Sequence, residues 1–194
     1  MLKILFINSC VRENSRTLSL AREVLDNLDG RIEEVALYGA DLAPLDAEGI
    51  RTRSEAFSAN DFSDTKFDLA RQFSCADIIV VAAPYWDLSF PAVLKIYFEA
   101  VTVNGLTFAY SEQGIPTGLC RARHMIYVTT AGGPISKNFG FEYARELATS
   151  FYGINNVTCI CAEGLDVSGA NADDILLSVK NSVASILAEK KADQ

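Results

Sequence analysis

Histidine occurs once in this chain and no GxSxG turn accompanies it, so little equips the protein for nucleophile–histidine hydrolysis. Positive charge is short as well. Lys and Arg number 17 against 25 Asp and Glu, a net charge of −8, which leaves no basic surplus to displace counterions from a nucleic acid. The five cysteines, Cys10, Cys75, Cys120, Cys159 and Cys161, are an odd set without a CxxC pair, which argues against a disulfide framework and a zinc site. No apolar run reaches the ~20 residues that span a membrane. The opening MLKILFINSC turns polar too soon for a signal peptide, so a cytoplasmic location is expected. Two phosphate-binding glycine motifs, GxGxxG and GxxxxGKS/T, are missing, which disfavours a tightly held dinucleotide and a P-loop nucleotide. No repeat, low-complexity tract or linker interrupts the 194 residues, and a single domain over 1–194 is expected.

What is present is a regular alternation. Apolar runs predict strands over residues 3–7, 32–38, 77–83, 124–129 and 157–162. Helical spacing predicts helices over 16–28, 63–74, 91–101, 138–151 and 172–190. Residues 39–61, with Pro44 and Gly49, read as loop, and 104–123 as a long excursion in which 106–110 suits a hairpin arm. Strand–helix alternation repeated five times implies one parallel sheet covered by helices on both faces. The expected fold is therefore α/β, a flavodoxin-like three-layer sandwich with a five-stranded parallel sheet in the order 2-1-3-4-5. Cys159 and Cys161 would share one strand face as small core residues, and His124, after Arg121 and Arg123, would be a solvated strand end.

In such a sheet ligands bind beyond the carboxyl ends of the strands, where the strand order reverses. Three loops would meet there. Residues 8–17 supply Ser9, Ser15 and Thr17 as hydroxyl donors, Arg16 as a charge and a helix N-terminus, a combination suited to phosphate. Pro84, Tyr85, Trp86, Asp87 and Leu88 offer a flat apolar surface for a ring. Thr130, Ala131, Gly132 and Gly133 offer backbone that can approach a ligand closely and donate N–H groups. Phosphate, planar aromatic and polar ring edge together describe flavin mononucleotide (FMN). A phosphoacceptor domain of the same fold would need an aspartate where this chain has Ala82-Ala83-Pro84. Cys10 lies beside the helix N-terminus, which can lower a thiol's pKa, although an incidental thiol at a backbone-contact position is the simpler reading.

Five segments in order, NSCVRENSRTLSLA, AAPYWDLSFPAVLKIYFEAV, GLTFAYSEQGIPTGL, VTTAGGP and the AEG at 162–164, give the chain a resemblance along nearly its whole length. It resembles the FMN-dependent NAD(P)H quinone and azo-dye reductases of the flavodoxin-like superfamily. The resemblance implies that Ser9, Ser15, Arg16 and Thr17 hold the FMN phosphate. It implies that Tyr85, Trp86, Asp87 and Leu88 line the isoalloxazine, with Thr130, Ala131, Gly132 and Gly133 bordering it from the other side. It further implies ping-pong transfer from NADH or NADPH to small planar aromatics such as quinones, azo or nitro compounds. A homodimer is implied too, with residues 105–119 reaching toward the partner.

Asp87 departs from the pattern, because azoreductase relatives commonly carry asparagine there. An ionised aspartate only accepts hydrogen bonds. Asp87 is expected to accept from the flavin N3–H and to disfavour negative charge on the reduced ring. Two other readings remain: a flavodoxin-type electron carrier serving a partner protein, and a non-redox flavin- or nucleotide-binding regulator.

Overall fold

Side chains on a strand alternate between faces, and here both faces of the central strands are apolar. In β1 (Lys3–Asn8) Leu5 and Ile7 face one core while Ile4 and Phe6 face a second. β3 (Ile78–Ala82) divides the same way, Ile79 and Val81 against Val80 and Ala82. A computed structural model describes residues 1–192, so the last two residues of the expected domain lie outside the described residues.

The main sheet holds five strands, all parallel. With β2 (Arg31–Ala36), the short hairpin strands β4 (Phe108–Tyr110) and β5 (Pro116–Gly118), β6 (His124–Thr130) and β7 (Asn156–Ala162), its order is β2-β1-β3-β6-β7. Leaving the separate hairpin out, this is the expected 2-1-3-4-5 flavodoxin-like sandwich. α1 (Arg16–Asp26) and α6 (Ala172–Ala192) cover one face. α3 (Asp68–Cys75), α4 (Ala92–Val101) and α5 (Phe139–Glu146) cover the other.

Several local expectations are corrected. Residues 39–61 are not all loop: Ala47–Ala59 form a helix, α2, capped by Asp46, whose carboxylate accepts from the Gly49 N–H. Only Ala56 of this helix is buried. Arg51 pairs with Glu48 and Glu55 on its outer side. Arg53 reaches across to donate to the carbonyls of Glu99, Ala100 and Thr102 at the end of α4, where a cation complements the helix dipole. Helix 138–151 is also not uniform. α5 widens into a π-helical turn over Leu147–Tyr152, ending at Gly153 with φ 75°. The hairpin packs on this turn so closely that a Cβ at Gly118 would collide with the backbone of Tyr152 and Gly153. His124 is buried rather than solvated, because β6 lies between β3 and β7, and its Nε2 meets Thr158 Oγ1 at 2.8 Å.

Candidate functional site

The carboxyl ends of β1, β3 and β6 open into a cleft of about 200 Å³. Nine of the expected residues line it: Ser15, Arg16, Thr17, Pro84, Tyr85, Trp86, Thr130, Ala131 and Gly132. Val11, Arg12, Asn14 and Asp166 line it as well, and were not singled out from the sequence. The first three lie in the loop after β1; Asp166 comes from a fourth loop, after β7.

At one end the cleft is closed by the start of α1. Ser15 is the N-cap, and its Oγ accepts from the Leu18 N–H at 3.2 Å. Ser19 N is the amide that bonds the Ser15 carbonyl, so those of Arg16 and Thr17 have no carbonyl of the preceding turn to bond. Thr17 and Thr130 bring their hydroxyls to 2.6 Å, tying α1 to the end of β6. Ser9 behaves differently from the other three expected phosphate groups. It is fully buried, lies outside the cleft wall and spends its hydrogen on the Ala82 carbonyl at 2.7 Å. Cys10 also differs, since burial pushes its thiol up, outweighing a hydrogen bond with Ser15 that pulls it down. Burial likewise pushes Cys120 and Cys159 to about 12 and Cys161 to about 11, so no thiol among them is ionised at neutral pH.

The other end is a tight turn. Trp86 and Ser89 exchange backbone hydrogen bonds at 3.1 and 2.8 Å, and the two residues between them, Asp87 and Leu88, have φ of 51° and 68°. Positive φ at both central positions is the pattern of a type I′ hairpin turn, which suits Asn-Gly or Asp-Gly and penalises leucine. The turn is held from outside: Tyr85 Oη donates to the Lys137 carbonyl at 2.9 Å, and Phe139 N–H to the Leu88 carbonyl at 3.1 Å. Trp86 and Leu88 remain exposed. Asp87 and Leu88 lie outside the cleft wall as it stands, as does Gly133.

The glycine loop is fastened to the fourth loop. Leu165, Asp166 and Gly164 donate their N–H groups to the carbonyls of Ala131, Gly132 and Gly133. The Ala131 N–H in turn donates to the Ala162 carbonyl at 2.9 Å, so the amides of Gly132 and Gly133 are the loop's backbone groups left for a ligand. Capped helix end, apolar turn and glycine loop in one cleft fit a ligand with an anionic end and a planar end.

A family profile for the flavodoxin-like fold matches residues 2–186. An "FMN-dependent NADH:quinone oxidoreductase 2" of Clostridium acetobutylicum is 33% identical over 190 residues, covering 91% of this chain and 93% of that one. The chain belongs to the flavodoxin-like family of FMN-dependent NADH:quinone oxidoreductases. A relative in Clostridium beijerinckii named "FMN-dependent NADH:quinone oxidoreductase" is also 33% identical, over 187 residues, with coverage of 91% and 93%. Among solved structures, the fold is shared with an azoreductase from Bacillus anthracis at a TM-score of 0.84 and 23% identity, covering 96% of this chain and 98% of that one. Among the described residues of this family member, no helix is long and apolar enough to cross a membrane. No group of three or more metal-ligating side chains occurs among them either.

Proposed function

We propose that this protein is an FMN-dependent NADH:quinone oxidoreductase that also accepts azo and nitro aromatics, working by a ping-pong sequence. The observation that carries this reading is the pairing, in one cleft, of the Ser15-capped start of α1 with the Tyr85–Trp86 turn and the Thr130–Gly132 segment. When bound, FMN supplies a hydride-accepting centre and passes the electron pair to the second substrate.

The chain's own residues bind and orient. Ser15 Oγ–H and the amides of Arg16 and Thr17 would hold the phosphate, with Thr17 fixed by Thr130. Ser9, sealed behind this shell, would join only by turning its hydroxyl away from the Ala82 carbonyl. Pro84, Tyr85, Trp86 and Leu88 would present apolar surface to the ring system, with Asp87 accepting from a ring N–H. The amides of Gly132 and Gly133, together with Ala131, would border the ring edge where negative charge develops. No acid–base side chain is required, which agrees with a cleft lined by one carboxylate, Asp166, and no histidine. NADH, the nucleotide in the relatives' names, or NADPH would be the co-substrate, and the reading takes the protein to be a cytoplasmic homodimer. The hairpin supports a dimer, because Tyr110, Ile115 and Leu119 leave apolar side chains exposed.

The deciding experiment is the absorption spectrum of the purified protein with added FMN. We expect oxidised-flavin bands, bleached by NADH under anaerobic conditions and restored by a quinone. Protein that takes up no FMN overturns the flavin reading. Flavin that NADH cannot bleach without a partner reductase turns the reading to an electron carrier.

A further inference from the structure

Arg16 is one of two arginines in the cleft wall, with Arg12, and the one at the start of α1; it is already engaged. Its Nη2 meets Asp166 Oδ1 at 2.9 Å and its Nη1 donates to the Leu165 carbonyl at 3.2 Å. Both partners follow β7, some 150 positions away in the chain. Asp166 is not a loose surface carboxylate. Its N–H donates to the Gly132 carbonyl at 2.8 Å, and its side chain lies against Gly132 so closely that a Cβ there would strike Oδ2. Arg16, Gly132 and Asp166 all belong to the cleft wall. A phosphate reaching Arg16 therefore meets a cation already neutralised, beside a carboxylate of its own sign.

We propose that Asp166 is a built-in counter-anion that competes with the cofactor's phosphate for Arg16, weakening the grip on FMN and narrowing the preference for FMN over riboflavin. This rests on the flavin reading given above. The pair is partly exposed, at 36% for Arg16 and 65% for Asp166, so the ion pair itself adds little to stability. Its effect is felt on phosphate binding, where a dianion must displace or share the guanidinium. The bond to Gly132 fixes the Asp166 backbone, which keeps the carboxylate within reach of Arg16. Salt screens charges at such exposure, so the effect falls as ionic strength rises.

The test is titration of apoprotein with FMN, riboflavin and inorganic phosphate, following flavin fluorescence and, for phosphate, calorimetry. Asp166→Asn preserves shape and removes the charge; Asp166→Ala is the second variant. We expect FMN and inorganic phosphate to bind about three- to tenfold more tightly to both variants, or about 0.6 to 1.4 kcal/mol, with riboflavin unchanged. In an Arg16→Gln background the gain should shrink. Weaker FMN binding in both variants would overturn the proposal, making Asp166 a residue that orients Arg16. A gain undiminished by Arg16→Gln would also overturn it, leaving direct repulsion alone. Equal gains for FMN and riboflavin would overturn it as well. If the wild type binds neither flavin, the flavin reading fails, while inorganic phosphate still tests the Arg16–Asp166 competition.

Discussion

At the helix end of the cleft the backbone is ordinary: Ser15 sits at φ −71° and ψ 122°, in the usual N-cap conformation, and its hydroxyl satisfies a helical amide. A bound ligand would bridge that end to a turn of another kind, where Asp87 and Leu88 both stand at positive φ. The helix end gets its binding groups from relaxed geometry that any capped helix offers. The turn end needs a conformation that leucine resists, imposed by the Tyr85–Lys137 and Phe139–Leu88 hydrogen bonds. One end can grip an anion without strain; the other is shaped by its surroundings. A substitution at the first should therefore act on phosphate, and one at the second on the ring.

The largest effect expected from this contrast is at Ser15. Ser15→Ala removes a hydroxyl donor to a charged group, worth about 1.5–3 kcal/mol, so FMN should bind about ten- to a hundredfold more weakly. Riboflavin affinity should hardly change. Losing the cap should also lower unfolding free energy by about 1 kcal/mol, read from urea denaturation. Equal losses for FMN and riboflavin would erase the distinction between the two ends.

Asp87 gives the next largest effect. Asparagine is enriched among residues at positive φ, so Asp87→Asn should keep the turn while removing its charge. The midpoint potential of bound flavin should rise by about 30 mV, roughly 1.4 kcal/mol for a two-electron couple. Spectroelectrochemistry reads this directly. An unchanged or lower potential would mean that the Asp87 carboxylate does not face the ring.

The strands show why much of the fold was legible. Ile78–Ala82 has side chains buried on alternate faces, so its composition alone marks it. α2 was hidden because its stability is not written as an apolar stripe. Only Ala56 is buried, and the helix is held by the Asp46 cap, the Arg51 pairs and the reach of Arg53 to α4. The same distinction runs through the cleft. Tyr85, Trp86 and Gly132 lie within a few residues of their strand ends and Ser15 and Thr17 at the start of the next helix, and position after a strand is a local signal. Asp166 acquires its place only when β7 lies beside β6 and brings it against Gly132 and Arg16, a meeting no local pattern announces. Ser9 shows the converse: its type and position suit phosphate, but its hydroxyl is claimed by Ala82 on the neighbouring strand.

The smallest effect expected is also the sharpest probe of strain. Leu88 is more than half exposed, so replacing it loses little buried apolar surface, and its carbonyl bond with Phe139 does not involve the side chain. Leu88→Gly creates the Asp-Gly pair that a type I′ turn favours. It removes a left-handed penalty of about 1–2 kcal/mol and adds about 0.5–1 kcal/mol of glycine's extra unfolded-state entropy. The net should be a gain of about 0.5–1 kcal/mol, seen as a higher urea midpoint at unchanged slope. FMN and riboflavin should weaken together, since the lost side chain would face the ring and not the phosphate. A loss of stability would mean that Leu88 makes contacts outweighing its backbone cost, and the turn would then be as relaxed as the helix end.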